Sequence, residues 1–140
     1  MLQMKAVRME FPADANIIVG QSHFIKTVED LYEAVATTVP QAKFGLAFNE
    51  SSGACLTRSE GNDQTLRDTA VRNAQALACG HTFVLVLQNA YPINVLNAIR
   101  SVPEVCLYSA PRPTRSRSSL LRANKAAVCS GASTVAHPKV

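Results

Sequence analysis

The sequence predicts an α/β sandwich, with helices packed on a mixed sheet of short strands. Three observations predict it. Two segments carry apolar residues at helical spacing: Val28, Leu31, Tyr32, Val35 and Val39 in one, Leu66, Ala70, Ala74, Leu77 and Ala78 in the other. Each set covers one helix face. Short runs of strand character, bounded by Gly, Pro, Asn and Asp, surround them. One of these, 81–87, is apolar almost without alternation, as expected of a central strand covered on both faces.

In chain order, Lys5 to Phe11 alternates and reads as a strand. Residues 12–15 form a turn, and Asn16 to Gly20 reads as a buried strand ending at its glycine. Thr27 is placed as a helix N-cap, with Glu29 and Asp30 in the first turn where the helix dipole favours acids. Pro40 ends that helix. Residues 43–48 form a strand, 51–53 a turn, and Cys55 to Arg58 begins the return strand of a hairpin. Gly61, Asn62 and Asp63 turn the chain and cap the second helix, whose expected stop is Gly80. After the 81–87 strand, Pro92 opens a third helix with Ile93, Leu96 and Ile99 on its face. Val105 to Tyr108 begins a last strand, and there the pattern fails. The order β-β-α-β-β-α-β-α-β suits layered helices and sheet, with the C-terminal strands missing or replaced by a non-native tail.

Charge divides the chain at the same place. Residues 1–108 hold eight Lys/Arg and ten Asp/Glu, whereas residues 109–140 hold six Lys/Arg and no acid. The pI near 9.1 therefore comes from the tail, and the body offers no basic stripe for nucleic acid. The expected organisation is a domain over 1–108 and a basic, disordered tail over 109–140. Cys55, Cys79, Cys106 and Cys129 show no zinc-ligand spacing. The N-terminus lacks a signal-peptide core, and no apolar run reaches the ~18–20 residues of a membrane span. These features predict a reduced, cytoplasmic protein.

Five strings carry a family resemblance: NIIVGQSHFIKTVEDLYEA (16–34), KFGLAFNESSG (43–53), EGND (60–63), GHTFVL (80–85) and NAYPINVLNAI (89–99). Together they resemble the adenosine-specific kinase family across residues 3–108. The resemblance implies binding of adenosine or of ATP, ADP or AMP, and a phosphoryl-transfer role in which a phosphohistidine is a plausible intermediate. It also implies homo-oligomers, a trimer being the specific expectation. After Ser109 or Ala110 the chain departs from the family pattern. Read with a shifted frame, using synonymous codons only, Pro111 to Leu121 becomes ATANPVEVIVA, and Arg122 to Val140 fits a Gly-rich string containing GRGVLGxVDG. The tail thus reads as a frameshift product of an ordinary family gene, and the chain as one whose family activity is impaired. A natural basic extension that binds nucleic acid is the competing reading of the tail.

The candidate chemistry lies in the body. There is no P-loop and no protein-kinase signature. Phosphate must then be held by backbone N–H groups and scattered polar groups. Gly20, Gln21, Ser22 and Lys26 are the candidates, as a glycine-ended strand leading into a helix, where α/β sheets often place ligands. Their alternative is ordinary loop chemistry, with Ser22 as a local cap. His23 and His81 are candidates for phosphoryl acceptor or general base, because neutral imidazole does both near pH 7. Either is equally a hydrogen-bonded histidine at a strand edge. Asn89, Asn94 and Asn97, around the third helix start, are candidates for a purine edge or ribose; capping and solvent exposure explain them as well. Glu50 and Asp63 are the candidates for Mg²⁺, which takes hard oxygen ligands, or for ribose contacts, although Asp63 is more simply a cap. The alternative function is a non-catalytic AMP- or ADP-binding regulatory protein of the same fold.

Overall fold

The computed structural model describes residues 7–24, 26–51 and 56–109. Within them the chain runs β1 Asn16–Ser22, α1 Thr27–Thr38, β2 Lys43–Asn49, β3 Thr57–Gly61, α2 Gln64–Leu77, β4 Thr82–Gln88, α3 Pro92–Arg100 and β5 Val105–Ser109. The strands form one sheet in the order β3-β2-β4-β1-β5.

Helices and sheet form the predicted α/β layers, but every pairing is antiparallel, where a mixed sheet was expected. The connections explain the difference. Each helix crossover joins two strands of the same direction, as such crossovers do. β1 and β2 leave one strand's width between them, which β4 fills in the opposite sense. Likewise β2 lies between β3 and β4, and β1 between β4 and β5.

Side-chain alternation builds two cores from one sheet. Ile18, Phe44, Leu46, Phe48, Phe83, Leu85 and Leu87 pack with Val28, Leu31 and Val35 of α1 and Val95 and Ile99 of α3. The opposite face sends Ile17, Val19, Ala47, Val84 and Val86 against Leu66, Ala70, Ala74 and Leu77 of α2. β4 is central and buried along Thr82 to Leu87, as its unbroken apolarity predicts.

Gly45 sets how closely α2 approaches. A Cβ there would lie 2.1 Å from the backbone N of Arg67 and from the carbonyl carbon of Leu66. The helix backbone rests directly on β2, and only a residue without a side chain permits it. Its cross-strand partner is Gly61, at φ 156°, where a Cβ would lie 2.5 Å from Phe44 O and 2.9 Å from the Gly45 Cα.

Several boundaries differ from expectation. Residues 7–11 of the predicted first strand have no regular structure, and its start lies outside the described residues. The side-chain amide of Asn73 stands in for a strand neighbour there. It accepts from Glu10 N at 2.8 Å and donates to Glu10 O at 2.7 Å, so Met9 is buried against the α2 face. Gly20 does not end β1, which runs on to Ser22. Lys26, not Thr27, is the N-cap of α1. Ala78 takes the left-handed cap of α2 at φ 50°, the role expected of Gly80. Ile93 is 78% exposed, because Val95 and Ile99 form the buried face of α3.

Asn49 joins the layers at the end of β2. It is fully buried; its amide donates to Ala74 O at 2.8 Å and Cys79 O at 3.2 Å and accepts from the Thr57 hydroxyl at 2.9 Å. It thereby gives Ala74 O, which already accepts from Ala78 N, a second donor and satisfies Cys79 O just past the end of α2. Asn49→Asp replaces those donors with acceptors and should cost about 3 kcal/mol, read as a lower urea midpoint at unchanged slope.

Candidate functional site

The strand directions sort the candidate residues between two ends of the sheet. β1 and β2 finish, and β3, β4 and β5 start, at one end. There stand Ser22, His23, Glu50, Ser51, Arg58, His81 and Glu104, beside the N-terminus of α1. At the other end stand Asp63, Asn89 and the start of α3. The ends are separated by the length of β4, roughly 20 Å at strand rise.

His81 is fixed by its backbone. Its N–H donates to Asn49 O at 2.8 Å, and its carbonyl accepts from Ser22 N at 2.8 Å. These two bonds tie it to the finishing ends of β2 and β1. Its φ of 63° places a non-glycine residue in the left-handed region, which costs energy unless neighbours hold it. The twist turns the imidazole onto His23, ring centroids 4.5 Å apart and edge to face. The Ser51 hydroxyl sits in hydrogen-bond contact with Nε2. Nδ1 is buried without a partner among the described residues. With Nε2 accepting from Ser51, Nδ1 carries the ring proton.

Burial pushes the His81 imidazole below its ordinary value, and the charge of His23 adds to this. His81 is therefore neutral at pH 7, with a lone pair available. A depressed histidine contributes stability above its unfolded value of about 6.5, and the contribution is lost as pH falls below it. Glu104 works in the opposite sense. Burial raises its carboxyl, and the Asp30 side chain raises it further, so its contribution is full at low pH and lost as pH rises through the raised value. Replacing His81 by Asn isolates the first effect. The difference in melting temperature between parent and His81→Asn should shrink as pH falls from 7.5 to 5.5, in melts recorded at each pH.

Around the pair, Ser22 is fully buried. Its Oγ lies 2.7 Å from Thr27 Oγ1 and 3.0 Å from Glu104 O, while the Thr27 hydroxyl donates to Phe24 O. Ser22 is thus committed to tying β1, α1 and the start of β5 together. That is the local structural role, and it leaves no hydroxyl aimed at a phosphate. Gly20 and Gln21 are paired strand residues, not a loop. Lys26 is exposed beside the site. Phe24 and Leu56, 49% and 53% exposed, offer apolar surface at the same end.

Glu50 is only 7% exposed, and its carboxylate pairs with Arg58. Asp63 lies at the far end and caps α2 by accepting from Leu66 N at 3.0 Å. The two are not brought together, and no group of three or more His, Cys, Asp or Glu fit to hold a metal occurs among the described residues. With one carboxylate paired and the other capping, these residues do not fit Mg²⁺.

Asn89, Asn94 and Asn97 are also at the far end, too distant for one nucleoside to touch them and His81 together. Asn89 takes the left-handed region at φ 60°. Asn94 accepts from Tyr91 N at 2.9 Å, capping α3, and Asn97 is exposed. The site residues that sequence reasoning missed are Ser51 and Arg58. Ser51 reads as a turn and Arg58 as one cation in a strand, and only the folded register brings them to this end.

The sequence profile described as adenosine specific kinase matches residues 7–114. No curated protein matches. Among solved structures, the chain is similar to the PH1918 protein from Pyrococcus horikoshii OT3, at 40% identity and a TM-score of 0.74, over 81% of this chain and 76% of that one. No helix of the described residues is long and apolar enough to cross a membrane. A profile spanning this much of the chain, with a structural neighbour of this identity, is decisive: the chain belongs to the adenosine-specific kinase family.

Proposed function

We propose that the chain is a phosphotransferase acting on adenosine or an adenine nucleotide, with His81 as its reacting imidazole. The observation that carries the reading is the His81 environment: a neutral ring, Nε2 turned toward the Ser51 hydroxyl, and His23 packed on its face. In the reaction, a donor phosphoryl group takes the place of the Ser51 hydroxyl at Nε2. The Nε2 lone pair attacks phosphorus, the bond to the bridging oxygen breaks, and the nucleoside diphosphate leaves with that electron pair. The ring proton stays on Nδ1. Transfer to the acceptor hydroxyl reverses the step, with the hydroxyl's proton released, and restores the neutral imidazole. Used as a base, the same lone pair takes the acceptor's proton directly.

The same reading holds that activity in this chain is impaired. It rests on the expected frameshift after Ser109, which would replace a Gly-rich, acid-containing segment suited to close phosphate approach. The test is incubation of the full chain with γ-labelled ATP, with and without adenosine. Label on histidine that is acid-labile and alkali-stable, and discharged by adenosine, is the expected result, at a lower rate than in the Pyrococcus horikoshii protein. Saturable adenosine binding with no label and no turnover would replace this reading with a non-catalytic binder.

A further inference from the structure

The geometry points to Arg58 as the residue that holds the phosphate tail of the nucleotide, oriented for that task by Glu50. This inference rests on the phosphotransferase reading and extends it from the reacting imidazole to the group that distinguishes a nucleotide from a nucleoside.

The neighbours Glu50 and Ser51 do parallel work. The Glu50 carboxylate binds the Arg58 guanidinium through Nε, and the Ser51 hydroxyl contacts His81 Nε2. One dipeptide at the end of β2 thus fixes both the cation and the imidazole. Phe48 is registered opposite Arg58 on one side and Phe83 on the other. Arg58 and His81 are therefore two strand spacings and two residues apart, roughly 12 Å between Cα atoms. The long Arg58 side chain and the His81 ring can face one polyphosphate across that span.

The ion pair itself is asymmetric. Glu50's side chain is 8% exposed and Arg58's 42%. A nearly buried carboxylate beside a phosphate site would repel the ligand unless neutralised, and Arg58 is its ion-pair partner. The pairing uses Nε, so the planar Nη fork is without a hydrogen-bond partner among the described residues, on a side chain that is 42% exposed. Such a fork matches two phosphate oxygens at once. Burial of the acid end and exposure of the donor end are what an anchored, ligand-facing arginine requires. Lys26 is the other cation at this end, but it is exposed and has no ion-pair partner among the described residues to aim it.

The experiment compares adenosine and ADP binding by calorimetry for the full chain and for Arg58→Gln, Arg58→Lys and Glu50→Gln. Parent protein should bind ADP more tightly than adenosine. Arg58→Gln should weaken ADP on the order of 10- to 100-fold and leave adenosine affinity within twofold, which also reports that the variant is folded. Arg58→Lys keeps the charge without the fork and should recover only part of the loss. Glu50→Gln should weaken ADP severalfold, and tighter ADP binding there would overturn the orienting role. Equal parent affinities for the two ligands, or an Arg58→Gln loss shared by both, would overturn the assignment while leaving the phosphotransferase reading intact. Binding of neither ligand by the parent would overturn both.

Discussion

Gly45→Val should abolish the native fold. The added Cβ would stand 2.1 Å from backbone atoms of both Leu66 and Arg67, against a normal carbon contact of about 3.5–4.0 Å. No rotamer change relieves this, because the obstructing atoms are the main chain of α2. The helix must move away from β2 by more than an ångström. That movement opens the packed layer of Ala47, Leu66, Ala70, Val84 and Val86. Overpacking against mobile side chains costs about 1–3 kcal/mol; against fixed backbone the cost rises toward the whole stability of a small domain, about 5–15 kcal/mol. The expected observation is loss of the cooperative urea transition, and Gly45→Ala, whose Cβ meets the same main-chain atoms, should also be severely destabilised. A Gly45→Val protein melting within a few degrees of the parent would contradict the described contact between α2 and β2.

Much of the layer architecture was legible in the sequence. Continuous apolarity over 81–87 placed a central strand, and helical spacing in α1 and α2 named their buried faces. Local signals failed where another part of the fold supplied the same physical service. Residues 7–11 alternate like a strand, yet the Asn73 amide satisfies Glu10 where a neighbouring strand would. Gly80 was the better left-handed cap by propensity, but Ala78 takes it because the chain must turn earlier to deliver His81 between Asn49 and Ser22. Ile93 has the right spacing on α3, but Pro92 starts the helix so that Val95 and Ile99 face the sheet. The antiparallel sheet was not readable, because strand order depends on which gap a later strand fills.

The site was half legible for a related reason. His23 and His81 are 58 residues apart in number, and glycine-containing turns beside each marked both as candidates. Their contact at 4.5 Å required β1 and β4 to be neighbours. Asn89, Asn94 and Asn97 drew notice through their clustering around the start of the third helix, and the direction of β4 carries them to the opposite end. Arg58 lies outside the strings that carry the resemblance and Ser51 reads in its string only as a turn residue, since a hydroxyl or a guanidinium gains meaning only from what it faces.

His81→Asn should leave the fold in place and remove phosphoryl transfer. The choice of Asn matters. His81 sits at φ 63°, where Ala adds roughly 1–2 kcal/mol of strain and Asn is well tolerated. The bonds to Asn49 O and Ser22 N come from the backbone of residue 81 and do not depend on its side chain. What disappears is the neutral ring nitrogen. Loss of a positioned base or nucleophile lowers turnover by roughly 10²–10⁴-fold, and labelling of histidine should vanish with it. His23→Asn removes the edge contact and a neighbouring charge, not the reacting atom, so its effect should be smaller and should appear as an upward move in the acid limb of the pH–rate profile, since His23 depresses His81. Turnover in His81→Asn within threefold of the parent, with adenosine affinity unchanged, would remove His81 from the chemistry and shift the reacting group to His23. The two substitutions separate because the strands hold the backbones independently: His81 by Asn49 and Ser22, His23 by Glu104 O at 3.1 Å.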